Sequence, residues 1–332
     1  MENYRKFRAR SKAQGLWLLV VHVDMNKAET LIEIDADAVI HLVADDRHVM
    51  WQKERLLNIG LAHLPVGECS TVVWPDADML FVNENWVQET HDMIQSGAQV
   101  VQPFQYALRL SRGVDWLDPS SKRVSLSKDE GVRTPGFAFS VQRGADRNEE
   151  TRKAVLDSQQ KHGYTGFAWA ASRAALEDMG GLFDVAIVGG GDALMAHAFA
   201  NHVAGESWEP YYYARRLSDR WSPLAKIFHV WADRAAYATQ GKLGWVSGTA
   251  LHLWHGSKEG RQYGSRFDIL HKGTSSFDPD VHLERSECAV VNSTVEVILE
   301  KCFLWQWRDG NSDAARMRRD VRRMFQLREE DG

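Results

Sequence analysis

Apolar and polar positions alternate in blocks along the 332-residue chain, and the blocks read in turn as helices and strands. Residues 2–13 carry charged and apolar side chains at helical spacing, a basic amphipathic helix. Leu16–Val23 and Val39–Val43 are short apolar runs and predict strands. Trp51–Leu61 returns to helical spacing, with Leu56, Leu57 and Ile59 on the buried side. Thr71–Trp74 predicts a strand, Trp86–Ser96 a helix and Gln99–Phe104 another strand. Residues 110–150 are polar, charged and rich in glycine and serine, which predicts a mobile loop or lid on the acceptor side of a site. Regular pattern resumes with a helix over 149–161, an apolar run Phe167–Ala171 and a helix Arg173–Met179. The turn Gly189-Gly190-Gly191 opens a further helix from Asp192 to about Val203. Residues 205–250 mix short elements, and from about 275 the chain reads as helical. Alternating strands and helices predict an α/β sandwich with a mostly parallel sheet over residues 1–270, followed by a basic, helical C-terminal extension over 271–332.

Composition sharpens this only at the ends. The formal charge of −5 does not describe a strongly basic nucleic-acid binder, yet the positive charge is unevenly spread. Arg5, Lys6, Arg8, Arg10 and Lys12 crowd the first helix. Arg316, Arg318, Arg319, Arg322, Arg323 and Arg328 crowd the last segment. Such runs are usually solvated helix faces, and contact with a polyanion is the sharper alternative. Cys69, Cys288 and Cys302 form no Cys-x-x-Cys pair, which predicts a reducing compartment with no thiolate zinc site. The first residues are polar, and Leu16–Val23 is too short to span a bilayer. The expectation is a soluble cytoplasmic protein, in a bacterial or phage-infected cell, with no membrane partner. The 13 tryptophans are mostly packing aromatics, although sugar sites also favour flat rings.

The chemistry-bearing residues fall into four clusters. Asp76 and Asp78 follow the apolar run that ends at Pro75. In an extended chain alternate side chains share a face, so the two carboxylates are expected together at a strand end, where a cation bridging to a diphosphate relieves their repulsion. Just upstream, Trp51, Lys53 and Arg55 place an aromatic ring and two cations on one helix. They are packing residues of an amphipathic helix or contacts to a nucleotide base, phosphate or ribose. Gly166, Gly190 and Gly191 let backbone approach a ligand closely. Asp192 follows as a helix N-cap or as a general base, and taken alone the cap is the better explanation. His252 and His255 are expected on one face of a helical turn, where they share a metal if Asp78 completes the set. Such a mixed shell suits Mn²⁺ better than Mg²⁺.

The order of these clusters resembles the β-1,4-galactosyltransferase group of inverting, GT-A fold glycosyltransferases. The resemblance runs through Trp51-Gln52-Lys53-Glu54-Arg55-Leu56-Leu57-Asn58-Ile59-Gly60, then Asp76-Ala77-Asp78, then Gly189-Gly190-Gly191-Asp192, then His252 and His255. It implies Asp78, His252 and His255 as metal ligands, His252 standing where the family has methionine. It implies Asp192 as catalytic base, Asp76 near the ribose, and Trp51, Lys53 and Arg55 on uridine diphosphate. Three departures accompany it. The family's tryptophan and glutamate are missing from the glycine turn, its disulfides and membrane anchor are missing, and its opening base-binding strand has no counterpart ahead of the first helix. The overall pattern looks closest to single-domain bacterial and phage enzymes. The implied activity is transfer from a UDP-sugar to an acceptor hydroxyl, with a 5-hydroxymethyl-pyrimidine in phage-type DNA as the first acceptor and a glycan as the alternative. A non-catalytic carbohydrate or nucleic-acid binding protein is the reading from another class.

Overall fold

The computed structural model describes residues 2–25, 33–114, 133–158, 160–202, 217, 222–257, 259–271, 276–287 and 289–328. The chain opens with α1 (Glu2–Ala13), β1 (Leu19–Asp24), β2 (Ala38–Val43), α2 (Lys53–His63), β3 (Thr71–Pro75), β4 (Met79–Phe81) and α3 (Trp86–Gln95). There follow β5 (Val100–Gln102), β6 (Tyr106–Arg109), β7 (Thr134–Pro135), α4 (Phe137–Ala145), α5 (Glu149–Leu156), β8 (Ala168–Ser172), α6 (Arg173–Asp178) and α7 (Gly191–Phe199). The last described part holds α8 (Pro223–Thr239), β9 (Leu243–Trp245), β10 (Thr249–His252), α9 (Pro279–His282), β11 (Leu283–Glu287), β12 (Ala289–Ser293), β13 (Phe303–Trp307) and α10 (Ser312–Gln326).

The architecture is mixed α/β. One sheet runs β1-β2-β12, a second β3-β8-β5-β9, a third β4-β10-β6-β7, and β11 pairs with β13. β1 and β2 are parallel, whereas β3 and β5 both run antiparallel to β8. The Ala-Val-Ile-His-Leu-Val run of β2 is buried on both faces as far as Leu42, with Val43 half-buried, between its neighbours β1 and β12. Helix α2 lies against β1, and Gly60 brings its backbone so close that an added Cβ would sit 3.4 Å from a Val21 methyl. The largest core gathers Trp74, Phe137, Trp169, Phe183, Phe199, Phe228 and Trp231 among the helices α4 to α8. No helix among the described residues is long and apolar enough to cross a membrane.

Four expectations are corrected. Residues 205–250 contain a 17-residue helix, α8, started by Ser222 accepting from the Ala225 N–H with Pro223 in the first turn, and stopped by Gln240 in the left-handed region. The stretch from 275 is not a helical extension. β12 pairs antiparallel with β2, and Trp307, Met317 and Met324 belong to the main core, so these residues complete the fold. Of the lid over 110–150, residues 115–132 lie outside the described residues, while 137–145 form the buried helix α4 with Phe137, Ala138 and Val141 inside. Finally, Asp76 and Asp78 sit in a turn between β3 and β4, not along an extended strand.

Candidate metal centre and adjoining cleft

Three ligand-type side chains converge because two strand ends are locked together. The Met79 N–H donates to the Asp76 carbonyl at 3.3 Å and closes the turn that carries Asp78. β10 pairs antiparallel with β4, with His252 opposite Met79, and the Leu253 N–H donates to the Asp78 carbonyl at 2.9 Å. His252 is thus the last residue of a strand and His255 lies in the chain just after it; no helical turn is involved. Asp78 Oδ2 lies 3.0 Å from His255 Nε2 and 3.6 Å from His252 Nε2, and the two imidazole nitrogens are 3.0 Å apart. An octahedral cation with bonds of about 2.1 Å sets neighbouring ligand atoms about 3.0 Å apart, which two edges of the triangle match and the 3.6 Å edge from Asp78 to His252 exceeds.

The chemistry of the three groups fits a cation as well. Burial holds the His252 imidazole well below its ordinary value, and His255, Arg109 and Arg261 push it the same way, so it presents a neutral ring. Burial pushes the Asp78 carboxyl up to about 6, against the pull of His255. Asp78 Oδ1 is buried and has no hydrogen-bond partner among the described residues. A buried acceptor left unmade is costly, and a divalent ion beside it removes that cost.

The second half of the site lies in a small cleft lined by Lys53, Glu54, Asp76, Gly166, Phe167 and Asp192, among others. Lys53, at the first turn of α2, donates to Asp76 Oδ1 at 2.9 Å. Burial opposes the charge on Lys53, but Asp76, Glu54 and Asp192 together carry it above its ordinary value. Burial pushes the Glu54 carboxyl up to about 7, with Lys53 pulling the other way. The Asp76 N–H donates to the Phe167 carbonyl at 2.6 Å, and Phe167 holds a positive φ of 79°. Its ring centroid is 4.6 Å from that of His252, so one strained residue touches both halves of the site.

Asp192 is not the cap of α7. The cap position is Gly190, in the left-handed region with φ 86°, and no side chain bonds there. Asp192 Oδ1 accepts from the Ala193 N–H at 2.8 Å. Its Oδ2 hangs over Gly166, where an added Cβ would come within 2.5 Å of it. A Cβ on Gly191 would likewise stand 3.3 Å from Glu54 Oε1. These glycines give the two carboxylates their room.

Two expected nucleotide contacts stand elsewhere. Arg55 is buried, donates to Asp184 at 2.8 Å and stacks 4.0 Å from the Phe303 ring, which ties α2 to β13. Trp51 lies behind the glycine turn, parallel to Phe325, with the Arg328 guanidinium 4.7 Å from its ring centre. Four residues near the site carried no signal in the sequence. Glu54 looked like one more charge on a helix, and Phe167 like a core aromatic. Arg109 ends β6 opposite His252 in register. Arg261, buried, donates to the His255 carbonyl at 3.2 Å. Comparison with protein families, curated proteins and solved structures finds no match for the chain.

Proposed function

We propose that the chain is a metal-dependent, inverting glycosyltransferase that moves a sugar from a UDP-sugar to an acceptor hydroxyl. The observation that carries this reading is the pairing of the Asp78, His252 and His255 triangle with a carboxylate cleft whose two halves share Phe167. A divalent cation held by that triangle, with Mn²⁺ the best match to two imidazoles, supplies charge neutralisation for a diphosphate leaving group. Lys53, fixed by Asp76, adds a cation beside the same position. Asp192 presents Oδ2 to the cleft and accepts the proton of the attacking hydroxyl. The new bond forms from the acceptor oxygen to the anomeric carbon as the bond to the diphosphate oxygen breaks, and the bonding pair leaves with the diphosphate. A binding protein needs none of these acids held together with a lysine.

For the acceptor, a glycan is favoured over hydroxymethylated DNA by what the arginines do. Arg316 pairs with Asp313 and Asp320, and Arg318 and Arg322 pair with Asp46. Arg8 is buried against Asp35 and Asp37. Arg319, Arg322 and Arg323 are the exposed arginines of α10, and Arg322 is paired with Asp46, which leaves a thin footprint for a polyanion. The test is a screen of nucleotide sugars with Mn²⁺, following released diphosphate without acceptor, with glycans and with hydroxymethylated DNA. Release from a UDP-sugar that rises with one acceptor supports the proposal. No release from any donor with metal present contradicts it.

A further inference from the structure

Two arginines beside the metal centre lie over aromatic rings and not against acids. Arg109 closes β6 in register with His252, and the Leu110 N–H after it donates to the His252 carbonyl at 2.9 Å. Its guanidinium stands 5.2 Å from the centre of the Tyr164 ring and 5.7 Å from that of Phe167. Arg112, one short step further along the chain, stands 5.0 Å from the ring of Trp254, which falls between His252 and His255. By contrast, Arg8, Arg55 and Arg316 are each held by a carboxylate. Among the described residues no ion pair holds Arg109 or Arg112, and the buried Nε of Arg109 has no hydrogen-bond partner. The rings are firmly placed. The Tyr164 N–H donates to the Pro135 carbonyl, and the Tyr164 carbonyl accepts from the Phe137 N–H and from the Gln102 side chain, each at 2.9 Å. A positive group facing a cation site without an acid of its own weakens that site, and Arg109 already acts on His252 together with His255 and Arg261. An anion brought by a ligand removes this cost.

We propose that these two arginine–aromatic pairs make the acceptor subsite selective for an acidic saccharide, one whose sugar rings carry carboxylates, with Arg109 as the specificity-determining residue. The inference rests on the transferase reading of the site. A uronic acid ring has the matching chemistry. Its C–H face packs on the remaining face of Tyr164, which is half-buried, and its carboxylate takes two parallel N–H bonds from the guanidinium. Stacking on a ring leaves the N–H edge of a guanidinium open for this. Arg112 and Trp254 repeat the pair one step further on, where a second acidic ring of the same saccharide would lie. The placement favours the acceptor over the donor. Tyr164 and Phe167 flank Gly166, and Asp192 Oδ2 hangs over Gly166, so Arg109 and the proposed base meet on one short loop. The diphosphate has the metal and Lys53 already. Arg109 is half-buried between its rings, which suits a single sugar ring better than the backbone of a duplex. Salt screens a contact of that kind far less than an exposed one.

Titration calorimetry tests this by binding alone, apart from any transfer. The probe is a tetrasaccharide of alternating glucuronate and N-acetylglucosamine, added to protein with Mn²⁺ and UDP present. The control is the same tetrasaccharide with each carboxylate reduced to a primary alcohol. The acidic form is expected to bind about tenfold more tightly to the wild type, and the two forms to agree within about twofold in Arg109→Gln, with Mn²⁺ binding retained. Arg112→Gln is expected to lose about threefold of the preference. Equal binding of the two forms by the wild type, or binding of neither, overturns the proposal. That comparison needs no variant, so it decides even where Arg109→Gln does not fold. A preference that survives in folded Arg109→Gln overturns it too. Two further outcomes do the same. UDP-glucuronate held more tightly than UDP-glucose through Arg109 would make this a donor-sugar subsite. Hydroxymethylated DNA bound more tightly than the tetrasaccharide, and released by Arg109→Gln, would make it a nucleic-acid site. A preserved acid preference with no nucleotide sugar cleaved would leave the acidic-saccharide site standing and remove the transferase reading instead.

Discussion

At the residue scale, Asp192 and Gly166 form a unit: the carboxylate proposed as the base has space only because the facing residue lacks a Cβ. Asp192→Asn keeps the shape and the bond from Ala193, since an amide oxygen also accepts, but it cannot take a proton. The variant is expected to melt with the wild type and to lose ~10²–10⁴-fold in transfer rate, measured by steady-state kinetics with the metal-binding curve unchanged. Gly166→Ala separates position from identity. Its methyl group forces the Asp192 side chain to rotate away, so the expected result is roughly a 10²-fold slower rate with little change in Tm. Full activity in Gly166→Ala would mean that the observed Asp192 position is not the working one.

At the element scale, α1 is held by one buried cation. Arg8 donates to Asp37 at 2.9 and 3.1 Å and to Asp35 at 3.3 Å, while Asp37 also accepts from the Leu18 N–H. Arg8→Met is expected to destabilise the protein by about 2 kcal/mol in urea unfolding, less than the roughly 3–5 kcal/mol of a fully buried pair because Asp37 keeps some solvent. The Arg8 guanidinium holds the Asp37 carboxyl below its ordinary value. A carboxyl depressed in the folded state stabilises the fold above its unfolded value of about 3.9 and loses that stabilisation as pH falls through the folded value. Acid unfolding of Asp37→Asn should therefore be shallower below about pH 4 than that of the wild type. The same scale shows what the sequence could convey. Periodicity placed α2, α3, α6 and β3 within a residue or two, although in α2 the buried positions are Glu54, Arg55, Ile59, Gly60 and His63, with Leu56 and Leu57 only half-buried. It missed β11 and β12, whose Leu-Glu-Arg-Ser-Glu and Ala-Val-Val-Asn-Ser runs are half-exposed and polar, and which are strands only through partners far along the chain. The Asp76–Asp78 turn was hidden for a related reason. An i, i+2 spacing shares a face only in an extended chain, and the β4–β10 pairing bends this one.

At the scale of the whole molecule, the spatial grouping of the chosen residues was more legible than the architecture. Asp78, His252, His255, Lys53, Asp76, Gly166 and Asp192 were chosen by residue type and order, and the fold brings each to the metal triangle or the adjoining cleft. Trp51 and Arg55 were chosen by the same rule and lie in packing positions, since aromatic and cationic side chains serve interiors and ligands alike. The arginine ends behave similarly. With most of their charge committed to neighbouring acids, transfer to a small glycan is expected to change less than about twofold between low and moderate salt, whereas a DNA acceptor would show a steep decline. The most direct test of the account is pulsed electron spin-echo spectroscopy of Mn²⁺ bound to the protein in solution. Nitrogen modulation from two imidazoles is predicted for the wild type, from one in His255→Ala, and loss of tight binding in Asp78→Asn. Bound Mn²⁺ that shows no nitrogen coupling, or the same coupling in all three proteins, would contradict it.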